Sequence, residues 1–190
     1  MPTPDFESRV QAFTDNPSPA AARDLAAAHD DRAFAALVQA MNDFMEGPDA
    51  IAYREAVRTA ATPAVLAKWM AGDLEARRTA AHALSARFAA HVPFIAQGLR
   101  DADDQVRAVC RRALRSWSSS PELKDLFLEA VRHDDPRVRL LAAEGLGKLG
   151  DAADLPALQA ALDAEQDDRT RDRLAWAIER IEDQAADEPA

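Results

Sequence analysis

The chain reads as an all-α protein built by stacking a repeated helical unit, and three observations carry that reading. A motif recurs in phase: Asp103-Asp104-Gln105-Val106-Arg107, then Asp134-Asp135-Pro136-Arg137-Val138-Arg139, then Asp167-Asp168-Arg169-Thr170-Arg171, with positions 106, 138 and 170 each 32 residues apart. A fixed period in this range means stacked supersecondary units rather than one closed core. The composition is helical: alanine dominates, only 6% of residues are aromatic, and three of the six glycines cluster at Gly145, Gly147 and Gly150. Alanine loses no side-chain entropy in a helix and is the best helix former. The apolar spacing agrees, since Val106, Val109, Cys110, Ala113, Leu114 and Trp117 form one stripe that Val138, Leu141, Ala142, Gly145, Leu146 and Leu149 repeat one period later.

Helix starts are marked along the chain. Thr62-Pro63 and Ser120-Pro121 set a capping hydroxyl before a proline at the first helical position, where its missing N–H costs nothing. Asp154-Leu155-Pro156 is a looser version, and Gly150 after Leu149 is expected to end a helix in the left-handed conformation. These signals predict helices near 5–14, 19–28, 31–45, 49–60, 63–71, 74–88, 92–100, 105–116, 122–132, 137–148, 155–163 and 168–183. From residue 31 they pair as first helix, short turn, and second helix after an acidic turn. The expected organisation is one domain over 1–184, with a cap at 1–30, repeats near 31–60, 62–88, 91–117, 120–149 and 154–183, and a flexible acidic tail at 185–190.

At 190 residues, with 48% hydrophobic and 29% charged side chains, the chain suits one soluble folded domain. Its net charge of −10 disfavours a general nucleic-acid binder. The charge is uneven: residues 1–60 sum to −5, residues 61–120 to +4 and residues 121–190 to −9. A basic middle between acidic ends allows self-association that weakens with salt. Cys110 has no second cysteine to pair with and reads as a small buried packing residue. No apolar run approaches the roughly 18 residues that span a membrane. The N-terminal residues lack a basic and apolar leader, so a cytoplasmic location is expected.

The stretch 134–151, with Asp-Asp-Pro-x-Val-Arg, Ala-Ala and Leu-Gly-x-Leu-Gly-Asp in order, resembles HEAT repeats, specifically the bacterial type found in phycobilisome-lyase-like proteins. The match is good at 103–117 and 167–181, fair at 73–85, and weaker over 31–60. The resemblance implies an α–α superhelix, an α-solenoid of about five helical hairpins, with the second helices lining the concave face. It implies a scaffold or adaptor more often than a chromophore lyase. A related fold includes alkylated-DNA glycosylases. Fold alone does not settle function.

Four arginines, Arg77, Arg107, Arg139 and Arg171, share one repeat position, and acidic residues precede them at Asp73, Asp104 (or Asp103), Asp135 and Asp168 (or Asp167). The expected role is a structural ladder of Asp–Arg pairs. More distinctive are Arg111, Arg112 and Arg115 beside Arg107. The next repeat has Ala143, Glu144 and Gly147 there, and the one after has Ala175, Trp176 and Glu179, so the repeat does not demand these cations. They form a candidate basic patch for an acidic protein partner, which Arg77, Arg78 and Arg100 extend. The alternative is internal pairing through Glu144 or Glu75. Trp176 interrupts a polar column and reads either as a contact anchor or as packing for the terminal helix. Trp69 and Trp117 read as core.

His29-Asp30-Asp31 and His133-Asp134-Asp135 carry carboxylates beside a histidine, but each sits at a turn where Asp caps a helix. Neither has a second histidine at helical spacing, so no metal is expected. No phosphate-binding glycine loop or nucleophile elbow is present, and no cofactor or catalytic set is expected. The leading expectation is a non-enzymatic adaptor. A DNA-repair glycosylase and a lyase or chaperone of tetrapyrrole-binding proteins are the alternatives.

Overall fold

The computed structural model describes residues 5–44, 46–85, 89–116 and 118–187. Trp117 and residues 86–88 and 188–190, on which parts of the expected repeats and tail fall, lie outside them. The described residues fold as α-helices joined by short turns, an all-α fold of the α-solenoid class. They group into two compact units, Met1–Leu84 and Ser85–Ala190.

The first unit holds α1 (Phe6–Asp15), α2 (Pro19–Ala26), α3 (Asp31–Asp43), α4 (Ala50–Ala60), α5 (Pro63–Met70) and α6 (Leu74–Ala83). Side-chain oxygens of Asp5, Ser18, Asp30, Thr62 and Asp73 accept backbone N–H groups at five of the starts. α3 packs on α4 and α5 on α6, while α1 and α2 lie against α3 and α4. Phe13, Phe34 and Tyr53 are buried here, and half-buried Trp69 meets Phe34 edge-on at 5.0 Å. α6 ends at Ala83, short of the expected 88. Leu84 turns extended there, and the Ser85 N–H donates to Nδ1 of buried His91 at 3.3 Å.

The second unit holds three hairpins: α7 (Val92–Leu99) with α8 (Asp104–Ser116), α9 (Lys124–Ala130) with α10 (Pro136–Leu149), and α11 (Leu155–Ala164) with α12 (Asp168–Asp187). Single 3-10 turns at Ala89–His91, Pro121–Leu123 and Ala152–Asp154 lead into the first helices. The second helices α8, α10 and α12 begin at 104, 136 and 168, the spacing of the sequence repeat. They also pack on one another in order. Val106, Cys110, Leu114, Val138, Leu141, Leu146, Leu174, Ala177 and Ile181 are all buried, which is the apolar stripe turned inward. Burial also pushes the Cys110 thiol up to about 12, so it stays protonated packing material.

Glycine opens the way for the tight approach of these helices. Gly145 and Gly147 sit mid-helix in α10, where each costs about 1 kcal/mol relative to alanine in propensity. A Cβ at 145 would stand 2.3 Å from the Phe127 ring, and one at 147 would stand 2.2 Å from the Trp176 ring. Gly150 departs from expectation. Its backbone is extended (φ −71°, ψ 159°), not left-handed, and glycine is needed because a Cβ would meet the Leu146 carbonyl at 2.5 Å. α12 runs on to Asp187, past its expected end at 183.

Candidate functional site

The interhelical turns of the second unit follow one wiring plan. Asp103, Asp135 and Asp167, one repeat apart, are the N-cap acceptors: Asp103 takes the N–H of Val106 at 3.0 Å, Asp135 that of Arg137 at 2.9 Å, and Asp167 that of Thr170 at 2.9 Å. Two residues before each cap stand Asp101, His133 and Glu165. The Asp101 carboxylate accepts from the Asp103 N–H, His133 Nδ1 from Asp135 and Glu165 Oε1 from Asp167. Three different acceptors thus do one job, and the column was readable at the 32-residue spacing.

The repeat arginines fold back across these turns. Arg107 Nη1 donates to the Asp101 and Ala102 carbonyls, Arg139 Nη1 to those of His133 and Asp134, and Arg171 Nη1 to that of Glu165. In the first unit, Arg77 Nη1 reaches the Gly72 carbonyl. These carbonyls follow the C-terminal ends of first helices, where the backbone dipole is negative and a cation binds well. The expected Asp–Arg ladder therefore needs correction. Asp104 does pair with Arg107. Asp135, however, serves the Arg137 N–H and Arg111, not Arg139. Arg139 instead grips Glu165 of the next turn through two bonds of 2.7 Å. Asp168 lies one residue inside its helix while its neighbour Asp167 caps, and Arg171 is bound to a carbonyl.

Glu165 was missed by reading the sequence alone. It is buried, and the Arg139 guanidinium together with the Gln166 and Asp167 N–H groups lowers its carboxyl to about 2. The pKa of His133 is also lowered, but here the cause, burial with Arg100 nearby, works against the charged form. Its Nε2 is buried without a partner among the described residues.

The expected basic patch divides in two. Arg111 is partly buried, with 17% of its side chain exposed, and bonds Asp135 at 3.0 Å. Arg107 is held by its turn, and Arg100 pairs with Glu129 at 2.8 Å. Glu144, the other suggested internal partner, binds Lys148. Arg112 and Arg115 are exposed and make no ion pair with any described residue. Trp176 is half-buried. Its ring covers Gly147, the Arg173 guanidinium stands 4.9 Å from its centroid, and that of Arg180 stands 5.9 Å away. The indole also lines a cleft of about 340 Å³ between α10 and α12, with Leu140, Glu144, Arg169, Asp172 and Arg173. Packing and exposure to a contact thus coexist in this one side chain.

Repeated turns, stacked second helices and an in-phase arginine are the marks of one family, and comparison agrees: HEAT repeats match residues 92–179. Residues 92–179 are HEAT repeats. A comparison with curated proteins found no match. HEAT repeats are commonly protein-interaction scaffolds. No described helix is long and apolar enough to cross a membrane.

Proposed function

We propose that this protein is a non-enzymatic adaptor that docks an acidic protein partner on the second helices of residues 104–187. The observation that carries the reading is the pair Arg112 and Arg115, exposed and without an ion pair to any described residue, on a helix whose other two arginines are committed to the fold. Like charges three or four residues apart repel within a helix, so a fold that needed only stability would not keep them free. Trp176 adds an amphipathic surface of the kind enriched at binding hot spots. Arg111, bound to Asp135, supports the face from beneath.

The double variant Arg112→Glu/Arg115→Glu tests the reading. Tagged wild type and variant are compared in pull-downs at low and moderate salt, with both protein and nucleic acid assayed. Normal folding with loss of a protein captured by wild type is the expected result, since surface charge changes alter association more than stability. Identical captures would remove these arginines from the site. Capture of nucleic acid instead would favour a DNA-binding role.

A further inference from the structure

The 32-residue register allows the exposed side of the second helices to be read as one surface. Four positions per helix, at successive steps of three or four residues, give Gln105, Ala108, Arg112 and Ser116 on α8. They give Arg137, Leu140, Glu144 and Lys148 on α10, and Arg169, Asp172, Trp176 and Arg180 on α12. None of the twelve is buried. Five are cationic and two are acidic, so this surface is net positive on a chain of net charge −10. Arg112, Arg137 and Arg169 make no ion pair with a described residue, and the Arg180 guanidinium stands 5.9 Å from the indole centroid. The two large apolar members, Leu140 and Trp176, both line the cleft between α10 and α12.

We infer that this cleft anchors a linear acidic peptide segment of the partner, an inference that rests on the adaptor reading. One apolar side chain of the peptide enters between Leu140 and Trp176. Carboxylates on either side of it pair with Arg169 and Arg173 at the cleft and with Arg137 and Arg112 along the surface. A volume of about 340 Å³ is at the small end of ligand pockets, enough for one large side chain and not for a folded surface. The same cleft carries Glu144 and Asp172. A phosphate backbone needs a continuous positive track and would be repelled there. A peptide can set its carboxylates apart and offer main-chain N–H groups to Asp172. The indole is already held between Gly147 and Arg173, so little order is lost when the anchor binds.

The test is selection from a displayed library of random twelve-residue peptides on the full chain. Peptides with acidic residues flanking one large apolar residue are expected to be enriched. Synthetic versions should bind about tenfold or more weakly when that residue becomes serine, the loss expected for one buried apolar side chain. Arg169→Glu/Arg173→Glu and, separately, Leu140→Asp should each weaken binding similarly while circular dichroism stays unchanged. Enriched peptides that lose affinity on Arg112→Glu/Arg115→Glu, but tolerate both the serine change and the cleft variants, would overturn the anchor and leave the adaptor reading standing. Enrichment of basic sequences, enrichment blind to every variant, or no enrichment would overturn both. So would displacement of the selected peptides by single-stranded oligothymidine at physiological salt.

Discussion

The indole of Trp176 rests directly on the backbone of Gly147, so close that a Cβ there would stand 2.2 Å from the ring. One helix thus presents a missing side chain to receive the largest side chain of its neighbour. The contact ties α12 to α10 and sets one wall of the cleft. Packing and the proposed binding surface depend on the same two residues.

Gly147→Ala should therefore destabilise the protein despite alanine's better helix propensity. Propensity returns up to about 1 kcal/mol, whereas forcing a methyl into a filled space costs about 1–3 kcal/mol. A net loss of roughly 1–2 kcal/mol in denaturant unfolding is expected. In the background of Trp176→Ala the same change should become neutral or stabilising, because the space is then open. Additive effects of the two substitutions would contradict the contact.

Glu165 makes stability depend on acid. Its carboxyl lies at about 2 when folded and near 4.5 when unfolded. A lowered folded value means its contribution is complete above pH 4.5, and is lost as the pH falls from there toward 2. The shift is worth on the order of 3 kcal/mol. Glu165→Gln should remove that stability at pH 7 and flatten the acid limb of the unfolding curve. Arg139→Ala should cost about as much or more, since it leaves a buried carboxylate unpaired.

Much of this was legible beforehand because the information is periodic. The twelve α-helices among the described residues, the Thr62 cap and the inward stripe follow from spacing that a sequence displays directly, whereas Ser120 and Asp154, expected to cap the helices that follow them, make no capping bond there. The partners of the arginines did not follow. Asp135 precedes Arg139 at a distance that permits a pair, yet the carbonyls of His133 and Asp134 compete for the same guanidinium, and only the fold decides between them. Arg111 was misplaced for a related reason: its partner Asp135 comes from the next turn, 24 residues on. Arg112 and Trp176 could be singled out because each breaks its column. Gly147 beneath the indole carries no such signal, for a glycine in a helix can serve several ends.

His133 offers the last prediction, because the turn uses it only in its neutral form. Its Nδ1 accepts the Asp135 N–H at 3.0 Å, a bond that protonation at Nδ1 abolishes. Burial and the nearby Arg100 and Arg139 guanidiniums oppose the charge, while Asp134 and Asp135 favour it, and the balance lowers the pKa below 6.5. With the folded value lowered, the unfolded chain takes up the proton first. The contribution is therefore complete above about pH 6.5 and declines as the pH falls through that value toward the folded one. Asn keeps an acceptor oxygen and does not titrate, as in the equivalent turn where the Asp101 carboxylate accepts from Asp103. His133→Asn should match wild type near pH 5.5 or exceed it, relative to their difference at pH 7.5, in paired thermal melts. Parallel melting curves for the two proteins across that range would show that the imidazole does not titrate within this turn.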